Sequence, residues 1–555
     1  MISSSPRAAP DDRGRIAFGT LLALFLAYAA LFIIRTSFTI DGERYFSLFD
    51  DAMVSMRYAR NLAHGYGLVW NPGGPRVEGY TNPLWVAYMA AIHLLPLPPC
   101  KTSLVVQVTA AAFLAFNLLV VRRIALIVSD GSEATAFGAV ALTGSYLPLN
   151  NWSLQGTEVS LLVLVVSIAL WQALRSSRDG RFRSSPYVWL AASTLVRPDM
   201  LVPLGGLVLF HVVIDPANRR RHLAWGCVPA LCCEVLQTAF RASYFGDLLP
   251  NTYYLKMTGY PVALRFSRGA FVLARFIWRF KALLVALPFM LRVRRDRRRA
   301  LLLWMVAVQC LYSVFVGGDA WEYWGGSNRY ISIAIPGLFV LLSDALCRFA
   351  IVLPGAFGLR RPAPFRPHAG TFALLIALAI FSANSIYGPE AWTEVLLIRA
   401  PLHTGPRGEN HDDVEEALAL RAVTTPEATM TVARAGTIPY FSDRLGIDLL
   451  GKNDRRIAHE AAAVPAGPER FLYFRPGHVK FDEHYSIEQQ SPDLVVQLWG
   501  RPGPVRPFLE EFYAPFVIGR RCVYVLNRST HVLRDRLPRP GCSLPSGSAS
   551  NTRPG

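Results

Sequence analysis

The chain is poor in charged residues, which make up 17% of its 555 positions, whereas an ordinary soluble domain carries about 25%. Hydrophobic residues reach 52%, and the mean hydropathy is +0.28. Apolar runs near or above the ~18 residues that a membrane-spanning helix needs recur along much of the chain. These features exclude a water-soluble protein and predict a polytopic protein of the lipid bilayer.

Acidic residues are also scarce, with 39 Asp and Glu against 57 Lys and Arg and a net charge of +18. The basic runs lie between apolar stretches, at Arg175–Arg183, Arg219–Arg221, Arg292–Arg299 and Arg360–Arg366. Short arginine-rich loops of membrane proteins stay on the cytoplasmic side. The charge therefore indicates topology, and we expect no nucleic-acid partner.

The eight cysteines lack the spacing of metal ligands, so no dedicated metal site is predicted, and a divalent cation stays open as a cofactor. Six of them lie in or beside apolar segments, where cysteine behaves as a small hydrophobe. Cys522 and Cys542 fall in the polar C-terminal region, and a disulfide between them stays open. The N-terminus lacks a small-residue cleavage site, which favours an uncleaved first span.

The apolar pattern predicts a helical membrane domain over residues 1–388, with roughly 10–12 membrane helices including short or re-entrant ones. The first span covers Ile16–Ile34, and a first external loop covers 39–80. Polar sequence over 389–535 predicts a C-terminal α/β domain on the extracytoplasmic side, and 536–555 reads as a disordered tail. Further apolar stretches lie at 83–98, 103–121, 124–149, 158–174, 187–214, 223–243, 268–291, 300–316, 330–350 and 370–387.

Two stretches need an interruption to satisfy the charge pattern. The stretch 187–214 has basic residues at both ends, and Pro198 breaks a helix at its centre, so we predict a hairpin of two half-length helices. Between residues 83 and 150, either one element is re-entrant or Arg122 and Arg123 lie outside. The sequence leaves this choice open.

The segment FDDAMVSMRYARNLAHGYGLVWNPGGPRVEGYTNPLW, at 49–85, carries the strongest chemical signal. Asp50 and Asp51 precede a short predicted helix, where a carboxylate is either a helix cap or a base for an attacking hydroxyl. Arg57 is either a solvated side chain or a phosphate contact. Glu78, Tyr80 and Asn82 follow in a loop rich in turn-forming residues, which predicts an ordered segment near a cavity.

Other predicted external segments add isolated polar residues beside apolar spans. Ionisable residues within the membrane suggest function by default, although each also has a structural interpretation, such as an ion pair between Arg197 and Asp199. Lys256 is a phosphate contact or an interfacial lysine, and Glu158 is a helix N-terminal acid or a cavity acid. The candidates in these segments are Glu158, Arg197, Asp199, Asn251, Tyr253, Lys256, Asp319 and Arg329.

The first-loop motif resembles that of the AftB-like arabinofuranosyltransferases, which belong to the GT-C superfamily of membrane glycosyltransferases. The likeness continues through QGTE, LVRPD, GDLLPNTYYLK, GGD and RY, and in the tail through TIPYFSDRLGIDLLGKND and PGHVKFDEHY, so it covers roughly residues 45–525. One departure is the family's G-M-E-T, which reads Gly156, Thr157, Glu158 and Val159 here.

The resemblance implies a GT-C fold and transfer of a sugar from a polyprenyl phosphate to an acceptor outside the cytoplasm, at the inner (cell) membrane. Asp51, or Asp50, becomes the candidate base. The candidate phosphate contacts are Arg57, Arg197, Lys256 and Arg329. The candidate substrate contacts are Glu78, Tyr80, Asn82, Glu158, Asp199, Asn251, Tyr253, Asp319 and His478. The implied donor sugar is arabinofuranose, and the acceptor is a cell-surface glycan or a glycoprotein.

Two rival functions are compatible with a polar membrane cavity. A lipid or sugar transporter more often shows internal repeats, and none is visible in the sequence. A non-catalytic membrane assembly or motility factor on the same scaffold would not need to keep both first-loop aspartates. We therefore expect a glycosyltransferase.

Overall fold

The computed structural model describes residues 12–291, 296–320, 328–356, 369–384, 408–464, 466–499, 503–539 and 541–542. A helical domain comes first. Its helices are α1 (Asp12–Thr36), α2 (Asp50–Ala63), α3 (Pro83–His93), α4 (Pro99–Val128), α5 (Glu133–Gly144), α6 (Leu147–Leu154), α7 (Val159–Asp179), α8 (Ser185–Ser193), α9 (Leu201–Ile214), α10 (Arg219–Tyr244), α11 (Asn251–Met257), α12 (Val262–Arg279), α13 (Lys281–Leu291), α14 (Arg297–Val316), α15 (Arg329–Ser332), α16 (Ile335–Ala356) and α17 (Ala369–Asn384).

Six helical segments of the described chain are long and apolar enough to cross a membrane. They lie at Gly14–Thr36, Pro99–Val128, Val159–Asp179, Pro216–Tyr244, Arg297–Val316 and Ile335–Val352. The predicted first span is therefore confirmed. Other helices, such as α9 and α17, are apolar but shorter, as the predicted mixture of full-length and short helices requires.

The structure answers the question left open between residues 83 and 150. Helix α4 continues through Arg122 and Arg123 to Val128, so the boundary between the two predicted stretches lies at Ser129–Ser132 instead. Helix α3 has 11 residues, or roughly 16 Å at 1.5 Å per residue, about half of the ~30 Å hydrocarbon core. Helix α3 therefore does not span the bilayer alone, and neither do α5 and α6, which have 12 and 8 residues. Within 83–150, α4 is the full-length candidate span.

The predicted break in the stretch 187–214 is present. Helix α8 ends at Ser193, and a single 3₁₀ turn at Pro198–Met200 leads into α9. Proline lacks the amide hydrogen that would continue the helix, and its ring clashes with the preceding turn. Arg197, whose backbone is extended, therefore lies at the tip between two short helices that pack against each other.

Basic side chains gather at one end of the helical domain. Arg298, at the start of α14, donates to Asp130 over 2.6 Å, and Arg123 and Arg175 both lie over the ring of Trp171. Helix α7 begins at Val159 and ends at Asp179. At about 1.5 Å per residue its 21 residues cover about 31 Å, so Glu158 lies at the opposite end from this basic cluster.

The C-terminal part is built on a five-stranded mixed sheet with strand order β4-β3-β5-β7-β6. A separate hairpin of β1 (Phe38–Ile40) and β2 (Glu43–Tyr45) precedes α2, and the sheet consists of β3 (Thr429–Val432), β4 (Leu445–Asp448), β5 (Leu494–Val495), β6 (Tyr513–Ile518) and β7 (Arg521–Leu526). Strand β3 pairs in parallel with β4 and β5, while β7 pairs antiparallel with β5 and β6.

Several helices surround or flank this sheet, so the predicted α/β composition is confirmed. They are Glu409–Ala422, Thr437–Ser442, Arg455–His459, Arg470–Tyr473 and Arg506–Phe512, with a π-helical turn at His484–Gln489. Cys522 and Cys542 form a disulfide, which answers the pairing question. The predicted domain boundary near 388 and most of the predicted disordered tail lie outside the described residues.

The two parts of the chain share one hydrophobic core. Met53 and Tyr58 of α2 belong to the same buried cluster as Val432, Ile438 and Tyr440 of the C-terminal domain. Polar contacts reinforce the junction. Arg57, which is 1% exposed, donates from Nε to the carbonyl of Trp70 and from its terminal nitrogens to the carbonyls of Pro439 and Arg444.

Candidate active site

The two adjacent aspartates of α2 point to different environments. Both lie in the first turn of the helix, where a carboxylate is favoured by the helix dipole. Asp50 accepts hydrogen bonds from the amides of Gly436, at 3.2 Å, and Thr437, at 2.8 Å, and so caps a helix of the C-terminal domain. Asp51 instead faces a group of cations.

Asp51 is paired through both of its oxygens. Lys452 Nζ donates to Oδ1 over 2.8 Å, and an Arg329 terminal nitrogen donates to Oδ2 over 3.2 Å. The carboxylate keeps 24% of its surface exposed, so it is reachable from solvent. Burial raises the pKa of Asp51, but the charges of Lys452, Arg329 and Lys256 outweigh it, and the pKa lies well below its usual range.

Arg329 is held in place by Asp319 and by its own short helix. Its Nε donates to Asp319 Oδ2 over 2.8 Å, and a terminal nitrogen donates to Oδ1 over 3.2 Å. The guanidinium also lies 4.5 Å from the ring centre of Trp152. Asn328 caps α15 by accepting from the amide of Tyr330. Arg329 is therefore a fixed cation beside Asp51.

Asp319 owes its position to the two glycines that end α14. Gly317 and Gly318 have φ of +87° and +76°, a left-handed conformation that glycine adopts without strain. The turn brings Asp319 to the Arg329 guanidinium, where it is 3% exposed. Burial acts to raise the pKa of Asp319, yet the Arg329 charge holds it below its usual range.

Lys256 and His478 complete the group around Asp51. The Lys256 chain lies against Gly477, where an added Cβ would stand 3.1 Å from its Cε. Burial, followed by the charge of Arg329, lowers the pKa of Lys256 to about 8. Burial likewise lowers the pKa of His478 to about 4, although Asp51 acts in the opposite direction. His478 is therefore neutral at pH 7.

Among the residues that the structure describes, the cations of this group outnumber its carboxylates. Arg329, Lys452 and Lys256 face Asp51 and Asp319, so the described part of the group carries one positive charge in excess. Lys256 forms no ion pair with any residue that the structure describes. A partly enclosed group of this sign suits an anion, and charge-assisted hydrogen bonds from guanidinium and ammonium groups are the strong contacts for phosphate.

A second polar cluster adjoins the first. Arg197 donates to Glu158 over 2.9 Å and to Asp199 over 2.6 Å, so two carboxylates more than neutralise its charge. Asn82 donates to Glu158 over 2.8 Å and accepts from Ser55 over 3.0 Å. Tyr330, the neighbour of Arg329, lies under the Arg197 guanidinium. The arrangement fits a scaffold that supports the Asp51 group.

Several predicted site residues lie elsewhere. Arg57 has all its nitrogens engaged in the junction between domains, which gives no physical support to a phosphate contact. Glu78 is bound by Arg241 in a buried pair, and Tyr80 packs among Tyr58 and Phe245. Each of these three has a structural environment of its own.

The remaining predictions on α11 separate into two kinds. Asn251 donates to the carbonyls of Gly451 and Lys452, at 3.0 Å each, and so supports the loop that carries Lys452. Tyr253 is 41% exposed and makes an edge-to-face contact with Tyr254. Asn251 is thus tied to the candidate site, whereas Tyr253 faces solvent or lipid.

The sequence did not single out Lys452, although its segment was part of the resemblance. The only local signal is the turn sequence GKND, which follows the largely apolar segment LGIDLL at 445–450. Lys452 and Asp51 contact each other although they are 401 positions apart in the sequence. No periodicity or spacing within one sequence encodes a contact of that kind.

One group of the described residues has the composition of a metal site. His411, Asp412 and Glu415 have ligand atoms within 4.8 Å of one another. Arg520 already pairs with both carboxylates, at 2.8 Å each. This group lies on the helix Glu409–Ala422 and does not include Asp51. A divalent cation as cofactor stays open, as in the sequence analysis.

The C-terminal domain is similar to a known protein family. Residues 406–530 match a family model described as a domain of unknown function (DUF8728). That match covers the sheet and its flanking helices, including the loop that carries Lys452.

Two curated relatives are similar to this chain. Both are named terminal β-(1→2)-arabinofuranosyltransferase, one from Mycobacterium tuberculosis and one from Corynebacterium glutamicum. The first is 26% identical over 271 residues, which cover 45% of this chain and 41% of the relative. The second is 28% identical over 283 residues, which cover 46% of this chain and 39% of the relative.

Solved structures extend the likeness to the whole fold. ArnT from Cupriavidus metallidurans bound to undecaprenyl phosphate has a TM-score of 0.53 and 14% identity, covering 92% of this chain and 98% of its own. The Archaeoglobus fulgidus oligosaccharyltransferase has a TM-score of 0.51 and 12% identity, covering 93% of this chain and 75% of its own. The predicted GT-C-like fold is confirmed, and so is the resemblance to arabinofuranosyltransferases.

Proposed function

We propose that this chain is a membrane glycosyltransferase that moves a sugar from a polyprenyl phosphate to an acceptor hydroxyl, with Asp51 as the base. The observation that supports it most strongly is the carboxylate of Asp51 standing among Arg329, Lys452 and Lys256. Such a group offers a proton acceptor and a binding place for a phosphate side by side. Those are the two functions that this transfer needs.

The reaction divides between the residues as follows. The acceptor hydroxyl oxygen forms a bond to the anomeric carbon of the sugar, and the bond between that carbon and the phosphate oxygen breaks. The leaving phosphate keeps the bonding electron pair, and Arg329 and Lys256 stabilise its negative charge. Asp51 takes the proton of the hydroxyl. Asp319 keeps the Arg329 guanidinium oriented through its two hydrogen bonds.

The relatives guide the choice of sugar and acceptor. Because both curated relatives are named for arabinofuranosyl transfer, arabinofuranose is the first sugar to test. The acceptor is a cell-surface glycan or a glycoprotein. His478, close to Asp51 and neutral at pH 7, is suited to a hydrogen bond with a sugar hydroxyl. Glu158, Asn82 and Asp199 support this site through the hydrogen bonds of the Arg197 cluster.

The orientation in the membrane follows from charge. Arg123, Arg175 and Arg298 lie at one end of the helical domain, and short basic loops are retained in the cytoplasm. The Asp51 group and the C-terminal domain then face away from it. The disulfide Cys522–Cys542 is consistent with that compartment, because disulfides persist where the environment is oxidising.

The test is a transfer assay with purified protein and a polyprenyl-phosphate arabinofuranose donor. We expect Asp51→Asn to lower kcat by about 10²–10⁴-fold, because an amide cannot accept the proton. Asp50→Asn is the matched control, since an amide oxygen still accepts from Gly436 and Thr437, and it should keep most activity. Full activity in Asp51→Asn would remove the base assignment. Wild-type protein without transfer from any polyprenyl donor would favour a non-catalytic factor.

A further inference from the structure

A loop of the C-terminal domain reaches into the candidate site of the helical domain. It follows β4, which ends at Asp448, and it carries Lys452. The carboxyl ends of the parallel strands β3 and β4 both point toward α2, since Gly436 and Thr437 follow β3 and contact Asp50. Ligand sites of sheets with parallel strands commonly form at those strand ends.

The loop is fixed before any ligand binds. Asp448 accepts from the amide of Leu450 at 3.0 Å and from the amide of Asn453 at 2.7 Å. Gly451 has φ of +73°, and an added Cβ would stand 2.6 Å from the Ile457 side chain. Asn251 of the helical domain then holds the carbonyls of Gly451 and Lys452.

Lys452 and Arg329 each satisfy one oxygen of Asp51. In this arrangement the carboxylate is a weak base, because two nearby cations favour its charged form. A phosphate placed between the same cations would compete with Asp51 for their hydrogen bonds. As the cations turn toward the phosphate, their hold on Asp51 weakens and its affinity for a proton rises.

The following inference rests on the proposed function. We propose that Lys452, a residue of the domain of unknown function, is a ligand of the donor phosphate, and that Asp51 and the phosphate share it. The C-terminal domain is then part of the donor site, in addition to any contact it makes with the acceptor. Donor binding itself releases Asp51 to act as the base.

The first test measures binding of polyprenyl phosphate, with neutral polyprenol as the reference ligand, to purified protein. Replacing Lys452 by Gln should weaken phosphate binding by roughly tenfold to a hundredfold, the range of a hydrogen bond to a charged group. Polyprenol binding should not change. Lys452→Arg should restore much of the lost affinity, because it restores the charge.

Arg455→Gln is the matched control. Arg455 belongs to the same domain and also pairs with an acid of the helical domain, Asp247, over 2.7 Å, but it is 53% exposed and does not contact Asp51 within the described structure. Phosphate affinity should stay at the wild-type value in this variant. A loss of affinity equal to that in Lys452→Gln would assign the effect to domain docking and overturn the proposal.

The second test examines whether Asp51 and the donor phosphate share Lys452. Asp51→Asn removes the competing carboxylate, so polyprenyl phosphate should bind about tenfold more tightly than to wild type. The gain should shrink in the double variant Asp51→Asn/Lys452→Gln, since the two residues are coupled. Unchanged binding in Lys452→Gln, or no gain in Asp51→Asn, contradicts the proposal. Wild-type protein that binds no polyprenyl phosphate contradicts the proposed function instead.

Discussion

At the scale of single residues, sequence type alone did not separate site from scaffold. Asp50 and Asp51 are neighbours of the same type in the same helix turn. A step of one residue turns a helical side chain by about 100°, which sends Asp50 to the amides of Gly436 and Thr437 and Asp51 to Lys452 and Arg329. Their different partners, and not their chemistry, decide which one is the candidate base.

Lys256 provides a pH-dependent prediction at this scale. Its pKa is lowered to about 8 by burial and by the charge of Arg329, so it loses its charge as pH rises through that value. We expect kcat/KM for the donor to fall above pH 8, because the neutral amine no longer attracts the phosphate. Lys256→Arg stays charged and should lack this alkaline decline. The measurement is kcat/KM for the donor from pH 6 to 10 in the wild type and in Lys256→Arg. An equal decline in both proteins contradicts the assignment of Lys256 as a phosphate contact.

Local sequence patterns predicted only part of the candidate site. Sequence reasoning selected Asp51, Lys256, Asp319 and Arg329, which the structure brings together, because each is a polar residue in an apolar or glycine-rich setting, a local signal. It also selected Arg57, Glu78 and Tyr80 for the same reason. Their buried partners lie far away in sequence; Arg57, for example, bonds a carbonyl 382 positions distant. Local polarity indicates that a residue is unusual, without indicating what it contacts.

At the scale of elements, helix α2 has two functions. Its first turn presents Asp51 to the site, and its later turns anchor the C-terminal domain through Arg57 and Arg60, whose guanidinium donates to the carbonyl of Tyr440 over 2.7 Å. The position of Asp51 relative to Lys452 therefore depends on this anchor. These two residues of one helix thus add to the shared core in fixing the geometry between domains.

Replacing Arg57 by Met should destabilise the protein by about 2–4 kcal/mol, because three buried carbonyls would each lose a charged donor. The carbonyls of Trp70 and Pro439 would keep the donors Asn61 and the Asp443 amide, whereas the carbonyl of Arg444 would lose its side-chain donor. Thermal unfolding in detergent measures the effect. Arg421→Gln, at an exposed arginine of the C-terminal domain, should leave the midpoint unchanged. A phosphate role for Arg57 would instead show as weaker polyprenyl phosphate binding at unchanged stability.

The helices also show how far the hydropathy pattern can be taken. It identified the first span and, with Pro198, the interruption between α8 and α9. It misplaced the boundary after α4, because Arg122 and Arg123 are accommodated within the helix by contacts with Glu133 and with the Trp171 ring. Apolar runs report burial or lipid contact, and a tertiary partner can keep a charged residue inside a helix.

At the scale of the whole molecule, the two domains divide the proposed reaction between them. The helical domain supplies Asp51, Arg329, Asp319 and Lys256, and the C-terminal domain supplies Lys452 and His478. The hydrophobic pattern predicted both domains as separate units. It gave no sign of their contact, because the pattern within each domain accounts for that domain alone. The shared core and the composite cation group arise only when the two are packed together.

The proposed orientation of this architecture can be tested by labelling. In intact spheroplasts, a membrane-impermeant maleimide should react with Glu427→Cys, an exposed position of the C-terminal domain, and not with Arg181→Cys, an exposed position beside the basic cluster. Permeabilised cells should label both, and the wild-type protein gives the background of its own cysteines. The reason is that basic loops are retained in the cytoplasm, so the end of the molecule that holds Asp51 must lie across the membrane from them. Labelling of Arg181→Cys in intact spheroplasts would place the candidate site in the cytoplasm, where the proposed extracytoplasmic acceptor could not reach it.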